Sequence, residues 1–222
     1  MSEAEERRRA EIRAAFTAER GFWAPSFETM LQHDPEFVAA YLDFSATPWR
    51  TGPLSPKVKE LVYIAIDAAT THLHAAGAAS HVRAALRHGA TADEIAAVLE
   101  LASLIGLQSI DLGTAILADV AGESAAPAIA EARIAAEGWR RGVIARAPLE
   151  IAVIELIGVA VNAATTHLHE DATRRHVVAA LAAGATPAEV AEVLELVSVL
   201  GIHAATLGMP ILQEAVQERA TP

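Results

Sequence analysis

The chain writes one histidine-rich word twice. Thr70-Thr71-His72-Leu73-His74 returns as Thr165-Thr166-His167-Leu168-His169, 95 residues further on. Each copy is flanked by a carboxylate and a third imidazole, Glu60 and His81 in the first and Glu155 and His176 in the second. Imidazole titrates near neutrality, and a neighbouring carboxylate orients it and holds its proton. Glu60 with His74 or His81, and Glu155 with His169 or His176, are therefore candidate general acid–base pairs. His72, His74 and His81, and likewise His167, His169 and His176, are also a donor set for a divalent transition metal such as Zn, Fe, Mn or Cu. Glu60 can complete that shell. The plain alternative is polar packing, with His81 bonded to a backbone carbonyl.

Spacing sets what must position these groups. Glu60, Asp67, His74 and His81 recur every seven residues, close to two helical turns, and would share one face of a continuous helix. His72 would then lie about 200° from His74. A break at Thr70 or Thr71, with one of them as the N-cap of a second helix, would bring the two rings together. Asp67 is matched by Asn162, so it is less suited to an essential role in both copies. His203 is matched by Gln108, and His33 and His88, which lack repeat partners, read as surface residues.

The repetition runs far beyond the word. Glu60-Leu61, His81-Val82, Gly89-Ala90-Thr91, Leu99-Glu100-Leu101 and Leu112-Gly113 all recur at the same offset without gaps. A period this long indicates a duplicated domain. Each copy reads as a helical hairpin. The first helical stretch runs from Pro56 to His88 and ends at Gly89, where glycine suits the position just past a helix. Thr91 to Glu94 is a capping box, repeated at Thr186 to Glu189 with Pro187 at the first helical position. The next helix runs to about Val120, with Ile95, Val98, Leu99, Ala102 and Ile105 as its apolar stripe. Helices near 3–20, 26–32 and 35–45 precede the first repeat, and residues 127–147 lead into the second. Gly21–Pro25, Thr47–Pro53 and Gly122–Pro127 read as loops. Trp23, Trp49 and Trp139 are expected to anchor the leaders on the hairpins. The division expected is residues 1–122 and 123–222, packed as one pseudo-symmetric all-α unit.

Composition narrows the function. Of 222 residues 53% are hydrophobic but only 5% aromatic, a balance of Ala, Leu, Val and Ile that favours helix. The net charge of −11 argues against a nucleic-acid surface, and the basic run Arg7–Arg9 is embedded in glutamates. The apolar stretch from Ile151 to Ala164 is too short and polar to span a bilayer, and the charged start lacks a signal-peptide core, so a cytoplasmic protein is expected. No cysteine is present, which removes thiol redox chemistry and thiolate metal sites. No phosphate loop or nucleophile elbow is found, and no flavin, nicotinamide or thiol cofactor is indicated.

Residues 34–61, DPEFVAAYLDFSATPWRTGPLSPKVKEL, with the hairpin Lys59–Glu100, resemble the carboxymuconolactone decarboxylase and AhpD-like alkylhydroperoxidase superfamily. Glu60-Leu61, His81 and Gly89 to Ile95 carry the resemblance, and Glu155, His176 and Gly184 to Val190 carry it again. It implies an all-α fold of AhpD-like repeats that assembles into homo-oligomers, here a dimer or trimer of two-repeat chains. The peroxidase branch of that superfamily uses a Cys-x-x-Cys pair. Those places hold His74 and Gly77, or His72 and Ala75, depending on the count, so thiol-dependent peroxidase activity is not expected. The decarboxylase branch, which acts on a lactone acid without a cofactor, is the nearer analogy.

The leading expectation is thus a lyase acting on a small organic acid or lactone, by decarboxylation, isomerisation or a related proton transfer. Glu60, His74, His81, Glu155, His169 and His176 would be its catalytic residues, with His72 and His167 as added ligands or substrate contacts. The alternatives are a metal-dependent oxygenase or hydrolase on the same histidines, and a non-catalytic ligand-binding or structural relative.

Overall fold

The computed structural model describes residues 2–122 and 127–220, all helix, turn and loop, with no strand among them. Most of the seam expected at Gly122–Pro127 lies outside the described residues. Packing divides the chain into two compact units, Met1–Gly52 with Ser198–Pro222, and Pro53–Val197. Packing and duplication thus partition the chain differently.

The first unit contains α1 (Glu3–Arg20), α2 (Pro25–His33), α3 (Pro35–Thr51) and the last helix, Ile202–Ala220. Ser2 and Glu5 form a capping box at the start of α1, and Gly21, at φ 72°, ends it in the left-handed conformation that glycine adopts without a Cβ clash. Phe16 is fully buried among the rings of Phe22, Trp23, Phe27 and Tyr41. Trp23 thus packs into the core of its own leader, whereas Trp139 is 46% exposed. The loop expected at Thr47–Pro53 is mostly helix. Pro48 sits inside α3, where Leu42, Ser45 and Ala46 are buried on the same helix and packing outweighs the proline's missing N–H.

The second unit holds both hairpins. The first is α4 (Pro56–Ala68), α5 (Ala75–Arg87) and α6 (Ala92–Ser103), followed by a 3-10 turn at Leu104–Leu107 and α7 (Gln108–Ala121). After α8 (Pro127–Arg146) comes the second hairpin, α9 (Ile151–Ala163), α10 (Glu170–Ala182) and α11 (Pro187–Ser198). The helix expected to run unbroken to Val120 is therefore interrupted at Gly106, and Leu99 in the expected stripe is 43% exposed. Because helical residues resume on the far side of each 3-10 turn, two stretches, Ala92–Ala121 and Pro187–Arg219, are longer apolar runs than Ile151–Ala164. By length and composition alone they are sufficient to cross a membrane.

The core of this unit draws on both repeats. Leu61, Ile64, Ala65 and Val98 pack in one cluster with Ile154, Ile157 and Val161. Fully burying each large aliphatic side chain contributes about 1.5–3 kcal/mol. Residues Lys59 to Asp67 of α4 are all buried, so that helix is surrounded on every side. Thr71 Oγ1 lies 3.3 Å from Thr166 Oγ1. A residue that touches its own repeat counterpart marks the pseudo-twofold relating the hairpins.

One charged pair lies deep in this unit and breaks the symmetry. Lys59 Nζ is 2.8 Å from Glu192 Oε1, with the side chains 4% and 2% exposed. Glu192 Oε2 also accepts the Leu54 N–H at 2.6 Å.

Candidate active site

The repeated word is a turn, and it explains how the chemistry is assembled. α4 stops at Ala68 and α5 starts at Ala75. Between them the His72 and Leu73 N–H groups both donate to the Ala69 carbonyl, at 2.8 and 2.9 Å, and His74 N–H donates to the Asp67 carbonyl at 2.8 Å. Leu73 has φ 52° and Leu168 φ 51°, both left-handed, a conformation costing an ordinary side chain roughly 1–2 kcal/mol. Threonine is not the N-cap. His74 holds the N-cap position of α5 without a side-chain capping bond, and His169 caps α10, its Nδ1 accepting the Ala172 N–H at 3.2 Å. The turn consumes the residues before each histidine, so neither threonine reaches the helix start. Glu60, Asp67, His74 and His81 consequently do not share one helix face. They converge across a hairpin instead. The rings of His72 and His74 are 5.5 Å apart, and those of His167 and His169 are 5.6 Å apart.

Each repeat contains a His–Glu dyad. His81 Nδ1 is 2.7 Å from Glu60 Oε2, and His176 Nδ1 is 2.7 Å from Glu155 Oε2. An ionised carboxylate only accepts, so Nδ1–H donates and the imidazole presents Nε2 for proton exchange. Of the two partners considered for each glutamate, the geometry selects His81 and His176.

The surroundings of the dyads differ. In the first repeat Tyr63 stacks on His81 at a centroid distance of 4.5 Å. The buried Asp67 carboxylate sits among three imidazoles, 3.8 Å from His72 Nε2, 3.7 Å from His74 Nδ1 and 3.9 Å from His81 Nε2. Burial pushes the Asp67 carboxyl above its ordinary range, and the imidazoles of His81, His74 and His72 oppose that rise. Burial also pushes His72 below the usual imidazole value.

In the second repeat an amide chain replaces this carboxylate. Gln108 Nε2 donates to Asn162 Oδ1, Asn162 Nδ2 donates to the Gly158 carbonyl at 2.8 Å, and Gln108 Oε1 faces His167 Nε2 at 2.5 Å. That contact requires Nε2 to carry the proton. Burial holds His167 below the usual imidazole value, and His169 adds to the effect.

A cavity of about 530 Å³ opens over this second dyad. Glu155, Asn162, His169 and His176 line it together with Gln108, Arg140, Arg175, Asp111 and Asp171, Arg140 being paired with Asp111 at 3.4 Å, and its remaining wall is largely aliphatic, including Leu101 and Ile157. Sequence reasoning singled out neither arginine. Arg140 precedes the second repeat on α8, and Arg175 is matched by Ser80, so the signal was a difference between the halves and not a retained residue.

The described chain is all-α, with a duplicated His–Glu dyad, one copy of which lies beside an aliphatic cleft that also holds charged groups of both signs. The model of the carboxymuconolactone decarboxylase family matches residues 35–110. The fold is similar to the crystal structure of a "putative gamma-carboxymuconolactone decarboxylase subunit" from Burkholderia xenovorans LB400. The TM-score is 0.86 and the identity 30%, over 95% of this chain and 98% of that one. No curated protein matches the chain. The chain belongs to the carboxymuconolactone decarboxylase family, within the AhpD-like superfamily.

Proposed function

We propose that the chain is a lyase whose working site is the second repeat, and that it decarboxylates or isomerises a small unsaturated lactone acid. The observation that carries this reading is the cavity in which the Glu155–His176 dyad is joined by Arg175. The Arg175 guanidinium suits a carboxylate substrate, through paired charge-assisted hydrogen bonds, whereas Arg140 is paired with Asp111 and Glu137. The aliphatic wall suits a compact ring.

In the decarboxylation the bond from the ring carbon to the carboxylate breaks and CO₂ leaves. The electron pair moves through the conjugated ring onto the lactone carbonyl, giving a dienolate. His176, as the imidazolium, returns one proton to carbon and is reprotonated from solvent. Glu155 keeps Nδ1–H directed and stabilises the imidazolium. An isomerisation would use the same His176 proton without loss of CO₂. His169 and Asn162 would contact the substrate from the same wall. Family membership supports the reaction class, and the relative's name suggests gamma-carboxymuconolactone as the first substrate to try.

The test is turnover of that lactone acid, followed by CO₂ release and by loss of ring absorbance. His176→Gln should lower kcat about 10²–10⁴-fold, the range of a lost general acid. Glu155→Gln should act chiefly on kcat, and Arg175→Gln chiefly on KM. Unchanged turnover in His176→Gln, with loss in His81→Gln, would move the site to the first repeat and overturn this assignment.

A further inference from the structure

We propose that Asp67, His72 and His74 form a binding site for one divalent first-row transition ion, present in the first repeat only. The inference is independent of the lyase reading. One donor atom from each of the three lies within 4.8 Å of the others. Asp67 Oδ1 is 3.8 Å from His72 Nε2, and Oδ2 is 3.7 Å from His74 Nδ1. A tetrahedral ion with bonds of about 2.0–2.1 Å holds its ligands roughly 3.4 Å apart, so a small inward movement of each group suffices. Two imidazoles and one carboxylate are a donor set for Zn or Fe(II) that leaves positions open for water or a small ligand.

Two backbone features serve this cluster. The left-handed Leu73 turns two histidines that are next-but-one in sequence onto the same side. At Gly77, a Cβ would lie 2.1 Å from Asp67 Oδ2 and 2.3 Å from His74 Nδ1, so any larger residue would fill the space the cluster uses.

The second repeat is an internal control. It keeps both histidines and the left-handed leucine, but Asn162 stands for Asp67 and Ala172 for Gly77. There His167 Nε2 faces Gln108, and His169 Nδ1 takes the Ala172 N–H. A neutral amide brings no charge to offset a dication.

The experiment is equilibrium dialysis of tag-free, chelator-stripped full chain against Zn²⁺, with elemental analysis, and a parallel Co²⁺ titration read by its visible ligand-field bands. The wild type should retain one equivalent per chain. Asp67→Asn, which installs the second repeat's own residue, should retain none, as should Gly77→Ala, while His167→Ala with His169→Ala should retain the full equivalent. Thermal unfolding checks that each variant is folded, and His72→Ala replaces any that is not. Absence of stoichiometric metal in the wild type, retention in Asp67→Asn, or loss in the second-repeat variant would each overturn the proposal.

Discussion

Gly158 lies against the ring of His176, so closely that a Cβ added there would be 2.3 Å from Nδ1. The matching position in the first repeat is Tyr63, whose ring stacks on His81. The same 2.7 Å dyad is thus kept in two ring placements, one leaning on bare backbone and the other on an aromatic face.

Gly158→Ala should therefore push His176 away from Glu155. Alanine is the better helix former by about 1 kcal/mol, so a merely structural reading predicts unchanged or higher stability. We expect the variant to fold but to lose most of its turnover, with the loss in kcat. Activity and melting temperature measured on the same preparation separate the two effects.

Burial depresses the His167 pKa, and this gives a signed pH dependence. Below the unfolded value of about 6.5 the unfolded chain takes up a proton that the folded site resists. The stability contributed by neutral His167 is present above that pH and is lost as the pH falls through it. Urea unfolding at pH 7.5 and pH 5.5, compared with His167→Gln, should show a smaller acid loss in the variant. An equal loss in both would remove His167 as a source.

The Lys59–Glu192 pair is almost wholly buried, and Glu192 also receives the Leu54 N–H. Removing one partner strands the other charge away from water. Lys59→Met should cost about 3–5 kcal/mol by denaturant unfolding, and Lys59→Met with Glu192→Gln should cost less than the single variant because the stranded charge is gone. A double variant as unstable as the single one would mean that the Leu54 contact carries the energy.

Much of the architecture was legible before any coordinates. The offset of 95 residues revealed the duplication, and Thr91 to Glu94 marked the start of α6 through its capping box. Local signals of this kind act within a turn or two of chain, so residue type alone suffices to read them. Retention in both halves singled out Glu60, His72, His74 and His81 with Glu155, His167, His169 and His176, but left each glutamate's histidine partner open between two. The sequence by itself therefore determined the helical class, the repeat and the set of residues from which the two dyads are drawn.

Only the tertiary structure decided how those members meet. The seven-residue register suggested a continuous face, but the chain turns at Leu73, a left-handed leucine whose N–H donates to the Ala69 carbonyl while the next N–H, of His74, donates to that of Asp67, contacts that no propensity foretells. Pro48 inside α3 is likewise a product of packing. Arg140, on α8, and Arg175, on α10, come to one cavity from separate helices, and Gln108 on α7 reaches both Asn162 and His167. These contacts join residues far apart in the chain. Long-range packing is set by the free energy of the whole core, and a local sequence window does not contain it.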